Sequence, residues 1–542
     1  MNFGDSSVPQ SERRMVLLAL LMLVLLTAVA FVSRPMTPID ETRYISVAWE
    51  MWLRGDFLVP FKNGATYSHK PPLMIWMYQA GWAVFGVNEW WPRLVSPLFA
   101  AACVFLTMAL SRRLWPQRYG IGGPAALILV SCSLWTIFST AAMFDVILAF
   151  FTLVGMHGTL KAAEGSTLRG VALLGLAIGL GVLAKGPVIL LHVLPVALLA
   201  PWWKRHLRWL SWFALLLLAV LLGAAIALLW ALPAGFAGGE AYRNAIFWGQ
   251  TADRMVESFA HRRPLWWYLP LLPALFFPWL LWPGLWGALR RFVSYGMDRG
   301  GRFCLAWFLP VLIAFSFISG KQPHYLIPIF PAFALLASRA MADDRRVRGL
   351  WLPGLTVLAI GGGLFALAMG WVKFPYAGLS DPPAIWPGAL LMLLAIVAYL
   401  MGRRFDKPMA FMAILGVMVS AFVQLTFLRP MYPAYDVRPM AQAISKLQTS
   451  GHVVANYGEY HNQYHFAGRL SQPLPVQDNV DELKAWLNAH PDDYALVYTK
   501  DLTRLQGVKV VATQPYLAVE AVLLDAPTAL KVVAIPGALS KP

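Results

Sequence analysis

Acidic side chains are scarce in this chain. Its 542 residues hold 27 Asp and Glu against 44 Lys and Arg, with 13% charged and 58% hydrophobic overall. Such a balance argues against a soluble domain of this size. Cysteine is nearly absent: Cys103, Cys132 and Cys304 lie inside apolar stretches, without the spacing of a disulfide framework or a zinc site. No basic stripe with interleaved aromatics accompanies the formal charge of +17, so nucleic acid is not the expected partner. A nucleotide-binding glycine pattern is also lacking. The one glycine run, Gly361 to Gly363, falls within an apolar segment and reads as close helix packing.

What the chain has in abundance is apolar runs of about 18 residues or more, each long enough to cross a hydrocarbon core as a helix. They fall near 15–33, 93–111, 120–139, 143–160, 170–184, 187–201, 210–232, 265–287, 304–319, 326–341, 350–370, 385–401 and 409–428, thirteen in all. Basic doublets punctuate them: Arg13-Arg14, Arg112-Arg113, Lys204-Arg205, Arg290-Arg291, Arg345-Arg346 and Arg403-Arg404. With the N-terminus in the cytoplasm, every doublet falls on the cytoplasmic side, as the positive-inside rule requires. The first run resembles a signal peptide and contains an Ala28-Val29-Ala30 triplet, but it is long for that role and reads as an uncleaved span.

The expected fold class is therefore an α-helical polytopic membrane protein with about thirteen transmembrane helices and a small C-terminal α/β domain. Residues 1–430 would form the membrane part, with extracytoplasmic loops 34–92 and 233–264, and residues 431–542 the domain on the same side. Loop one reads as an amphipathic helix from Glu41 to Leu53, a stop at Gly55-Asp56 and a turn at Lys62-Asn63-Gly64. In the C-terminal part, "HVVANYG" and "YALVYTK" read as buried strands flanking the helix-like "NVDELKAWLNAH". The segment "HNQYH", His461 to His465, reads as ordinary surface.

Chemistry is expected where charge is costly. Asp40 and Glu41 in "IDETRY" sit just beyond the first span, where a helix dipole would also favour them. Asp145 in "AAMFDVILAFF" stands among apolar residues at a span start and needs a partner or a task. Two carboxylates near one membrane face would let one act as a general base while the other holds it or the acceptor. Cations fall at the same predicted level: Lys70 in "YSHKPPL", Lys185 in "LAKGP", Arg262 and Arg263 in "HRRPLWWY", and Lys321 in "GKQPHYLIP". Snorkelling explains any one of them, but several together would make a phosphate site.

As a set, "DETRY…GDF…P…G…YSHKPPL", the Asp145 motif, "LAKGP" and "GKQPHYLIPIFPAFALL" resemble the aminoarabinose-transferase branch of the protein O-mannosyltransferase superfamily. Its members are integral-membrane glycosyltransferases of the GT-C fold, and the resemblance covers most of the membrane part. It implies inverting transfer of a sugar from a polyprenyl-phosphate donor to lipid A or another envelope acceptor, at the periplasmic face of a bacterial inner membrane. Membrane lipids are the remaining partners, and a monomer is expected. Carried over by position, Asp40, Asp145 and Glu41 are the catalytic candidates, with Asp40 the leading base and Glu41 supporting the loop. Lys70, Lys185, Arg263, Tyr325 and Lys321 are the candidates for the donor phosphate.

This chain departs from many relatives in carrying His69 where they have an acid before the "KPP" lysine. A divalent metal ion stays open on that ground, with His69 and His261 as its candidate ligands. A protein O-mannosyltransferase is the nearest alternative enzyme. A flippase for a lipid-linked sugar is the rival from another class, disfavoured because the charges cluster at one face and no two-half repeat is visible.

Overall fold

The computed structural model describes residues 9–249, 262–343, 349, 351–372, 384–402 and 408–541. The first helices are α1 (Gln10–Ser33), α2 (Asp40–Arg54), α3 (Leu73–Phe85), α4 (Trp90–Leu114), α5 (Gly122–Ser131), α6 (Ser133–Phe138), α7 (Phe144–Ala163), α8 (Thr167–Lys185) and α9 (Ile189–Leu198). Among the described residues, nine helices are long and apolar enough to cross a membrane, by length and composition. All thirteen expected spans fall on helical segments. Two are broken. The first parts at Cys132, between α5 and α6, and the second after Leu275, before the helix Pro283–Ser294.

The two breaks face each other and satisfy each other's backbone, which a hydrocarbon environment demands. Ser133 N donates to Phe277 O and Ser133 Oγ to Leu275 O, both at 3.0 Å, and the Trp279 and Ser131 side chains add a bond of 2.9 Å. The glycine run packs as expected at Gly361, where a Cβ would lie 2.9 Å from Met392 N, whereas Gly363 faces open space.

Helix ends separate into two levels. At one, Glu12 accepts from Gly123 N, Arg113 and Arg299 pair with Glu164, and Arg339 joins Asp298 to Asp343. The doublets Arg13-Arg14, Arg112-Arg113, Lys204-Arg205 and Arg290-Arg291 belong to helix ends on this level, while 345–346 and 403–404 lie outside the described residues. At the other level Arg93 Nη2 donates to Ala30 O at 2.8 Å and to Arg34 O at 2.9 Å, where α4 begins and α1 ends.

Antiparallel α7 and α8 pack backbone to backbone. A Cβ on Gly170 would lie 2.2 Å from Ala162 N, and one on Gly158 would lie 2.6 Å from Leu174 N. Because the helices run in opposite directions, the start of α7 and the end of α8 share the second level. Glu41 ties loop one to the same place. It is 3% exposed and accepts from Thr37 N at 2.9 Å, Thr37 Oγ1 at 2.5 Å, Ala142 N at 2.7 Å and the Arg34 guanidinium. Burial alone would raise its pKa, but Arg34, Thr37 and Ala142 outweigh that and hold it below the usual glutamate value.

The C-terminal part folds around a five-stranded sheet. Its strands are β3 (Val454–Tyr457), β4 (Val476–Gln477), β5 (Tyr494–Thr499), β6 (Ala512–Tyr516) and β7 (Val519–Asp525), in the order β4-β3-β5-β7-β6. β3 runs parallel to β4 and β5, and β7 runs antiparallel to β5 and β6. Met440, Ile444 and Tyr464 cover one face, and Leu483, Leu487 and Val532 the other. In loop one, β1 (Phe61–Lys62) and β2 (Ala65–Thr66) form a hairpin around Asn63-Gly64, whose φ values of 52° and 82° suit a two-residue turn.

The reading of "HNQYH" as surface is wrong. Residues 462–465 are buried because the loop after β3 docks on α2, with Phe466 N donating to Ser46 Oγ at 3.0 Å and Trp49 Nε1 to Leu470 O at 2.9 Å.

Two expectations follow from this packing. Gly170→Leu overfills the α7–α8 contact and destabilises the protein by about 3 kcal/mol, read as a lowered unfolding temperature in detergent. Glu41→Gln costs about 3 kcal/mol at neutral pH by leaving the buried Arg34 without its carboxylate. Since Glu41's folded pKa lies below its unfolded one, that stabilisation is present above the unfolded value and is lost as pH falls through the folded one. Thermal unfolding followed over pH therefore shows the gap between wild type and variant closing on acidification.

Candidate active site

Asp40 is the first residue of α2, where the dipole favours an acid, yet the N-cap position makes no side-chain capping bond. Its carboxylate is instead held by side chains one turn on. Asp40 Oδ1 accepts from the Arg43 guanidinium and from Tyr44 Oη at 2.9 Å, and the side chain stays 42% exposed. Tyr44 packs edge-on against Phe144, with ring centroids 4.7 Å apart. Phe144 opens α7 beside Asp145, and the Lys70 ammonium lies 5.7 Å from its ring centroid.

Asp145 is 1% exposed. Its Oδ1 accepts from Lys185 Nζ at the end of α8, the contact that the antiparallel hairpin makes available. Lys185 also lies 4.9 Å from the centroid of Tyr325, a geometry that stabilises a desolvated ammonium. His324, stacked edge-on against Tyr325 at 4.9 Å, is close enough to feel the charges of Asp145, Lys185, Asp40 and Lys70. Asp40, Asp145, Lys70, Lys185 and Tyr325 thus converge on one centre from five separate stretches of chain.

Other candidates take different places. Glu41 is buried, and both of its oxygens are occupied by loop and backbone donors, an arrangement that suits support of the loop. Lys321 is turned toward backbone carbonyls. Its ammonium donates to Arg263 O at 3.0 Å and Ile318 O at 2.6 Å, and it is 3% exposed. It clips residues 262–263 onto 319–320, where Arg262 pairs with Gly320 and Arg263 N donates to Ser319 O. The Arg263 side chain itself is exposed.

His69 is exposed and stacks on Tyr67 at 5.3 Å, and His261 lies outside the described residues. Among the described residues no three His, Cys, Asp or Glu side chains gather as metal ligands would. Sequence reasoning missed Arg43, Tyr44 and Phe144. The first two carried a signal, since positions three and four after Asp40 return to the same helix face.

A family model described as dolichyl-phosphate-mannose-protein mannosyltransferase matches residues 13–242. An "Undecaprenyl phosphate-alpha-4-amino-4-deoxy-L-arabinose arabinosyl transferase" of Pseudomonas paraeruginosa is 36% identical over 337 residues, 61% of this chain and 60% of that protein. A second protein of that description, from Pseudomonas fluorescens, is 30% identical over 402 residues, 67% of each chain. Against the relatives matched over the shorter stretch, the chain spans about three fifths of their length. The crystal structure of ArnT from Cupriavidus metallidurans bound to undecaprenyl phosphate shares the fold, with a TM-score of 0.73 at 21% identity over 93% of this chain and 97% of that one. On a likeness that extends over two thirds of a relative's length, with the fold in common, this chain belongs to the undecaprenyl-phosphate aminoarabinose arabinosyl transferase family of GT-C membrane glycosyltransferases.

Proposed function

We propose that the protein moves 4-amino-4-deoxy-L-arabinose from a polyprenyl-phosphate carrier to lipid A or a similar envelope glycan, with inversion at the sugar. The observation that carries this reading is the gathering of two carboxylates and two ammonium groups around Phe144 at one level of the helices. The relatives' names supply the sugar and the carrier, and the Cupriavidus structure holds the carrier without its sugar. In this reading residues 1–430 are the membrane-embedded catalytic part, with loops 34–92 and 233–264 facing the periplasm of the inner membrane. Residues 431–542 form a periplasmic domain.

The donor must arrive on lipid, because the periplasm supplies no nucleotide sugar. Lys70 and Lys185 contact the carrier phosphate, and Arg263 approaches it from the exposed side. An acceptor oxygen attacks the anomeric carbon from the face opposite the phosphate. The bond from that carbon to the phosphate oxygen breaks, and its electron pair stays on the phosphate. The fixed cations stabilise this growing charge more than they stabilise the bound donor, which is what accelerates the step. Asp145 holds Lys185 in place.

When the acceptor is a hydroxyl, its proton passes to the Asp40 carboxylate, which Arg43 and Tyr44 orient. When the acceptor is an ionised phosphate, no proton moves, and Asp40 orients the sugar and its amine.

Asp40→Asn and Lys70→Ala each lower transfer by about 10²-fold or more. Purified protein is given polyprenyl-phosphate-linked sugar and lipid A, and product is followed by mass spectrometry. Near-normal rates in both variants overturn the mechanism. Unchanged masses with the wild type overturn the transferase reading in favour of a protein that only moves the carrier.

A further inference from the structure

Glu50 stands on α2 ten residues beyond Asp40, and the mechanism does not use it. It is 6% exposed, although a carboxylate is among the costliest groups to bury. The loop-one hairpin meets it with two consecutive turn amides: Asn63 N donates to Oε1 at 2.6 Å and Gly64 N to Oε2 at 2.9 Å. From the C-terminal domain, Asn462 Nδ2 donates to Oε1 at 2.6 Å. Asn63 then returns the contact as a closed pair with Leu474, donating from Nδ2 to the carbonyl and accepting from the amide, both at 2.8 Å. One carboxylate therefore joins a helix, a hairpin and a separate domain.

Asn462 lies in the loop that follows β3. In α/β sheets the loops at the carboxyl ends of parallel strands are where ligands usually bind. Here that loop grips a side chain of its own polypeptide. His465 closes the far side, its Nε2 3.9 Å from Glu50 Oε1 and its Nδ1 2.9 Å from Tyr460 Oη. Burial pushes the His465 imidazole down to about 4, so it is neutral at ordinary pH and the grip is made by amides, not by an ion pair. Arg43 is seven residues before Glu50, hence on the same helix face, and it is Arg43 that holds the Asp40 carboxylate.

We infer that Glu50 and Asn462 are positioning residues for the transfer reaction: the C-terminal domain holds α2 at Glu50 and so fixes where Asp40 stands relative to Lys70 and Asp145. Neither residue touches substrate. The inference rests on the transferase reading, and it assigns the C-terminal domain a part in turnover that the site itself does not reveal.

The test uses the full-length protein in detergent, with Asn462→Ala and Glu50→Gln as variants and Asn462→Ala repeated in the Asp40→Asn background. Expected for Asn462→Ala and Glu50→Gln is a kcat about tenfold lower with binding of undecaprenyl phosphate within about twofold of wild type, the loss of one charge-assisted hydrogen bond. If Asn462 acts through Asp40, its substitution changes kcat little once Asp40 is already Asn. An equal fall in both backgrounds, a parallel loss of undecaprenyl-phosphate binding, or an unchanged kcat overturns the inference. Backbone hydrogen exchange over residues 40–54 separates the two readings. A wild type that transfers nothing overturns the transferase reading, and the grip then stands or falls on faster exchange in Asn462→Ala.

Discussion

An aspartate and a lysine facing each other in an apolar interior set the terms for this molecule. Alone, either Asp145 or Lys185 would carry a desolvation cost of several kcal/mol, and together they remain stable only while their geometry is enforced. The enforcement comes from far down the same two helices. Gly158 and Gly170 let α7 and α8 touch backbone to backbone, which fixes the relative height of their ends. Tyr325 then lays a ring beside the ammonium and Phe144 turns the chain toward loop one, so the aromatic shell and the ion pair define one another.

A chain with so few acids uses them in two distinct ways. Glu12, Glu41 and Glu50 each accept from backbone amides of another segment, knotting together stretches that the apolar spans alone would not align. Asp40 and Asp145 are held by side chains that are themselves polar and adjustable. The cations divide in the same manner. Lys321 is spent on two carbonyls, whereas Lys70 and Lys185 rest against aromatic rings at the centre of the site.

This explains what the sequence could and could not reveal. Hydropathy depends on runs of neighbouring residues, so the spans were visible, and so was the anomaly of Asp145 among phenylalanines and leucines. The Asn63-Gly64 turn was legible because its conformation is decided by two residues. The breaks at Cys132 and beyond Leu275 were not, because each is tolerable only through the other, about 140 residues away. Lys321 looked like Lys70 in sequence, both being lysines near a proline at a span end, and only the carbonyls around it tell them apart. "HNQYH" seemed exposed because its spacing is polar, yet a carboxylate more than 400 residues earlier gives that polarity a buried destination.

That separation bears on how the protein is made. Loop one leaves the ribosome roughly 400 residues before the segment that secures it, since Glu50 meets Asn462 across 412 positions and Trp49 meets Leu470 across 421. Until then α2 lacks its contact with the C-terminal domain, and Glu50 has only the hairpin amides of Asn63 and Gly64 as partners. Completion of the last sheet supplies the missing surface, so in a prematurely stopped chain Glu50 lacks its Asn462 partner and α2 its contact with the second domain.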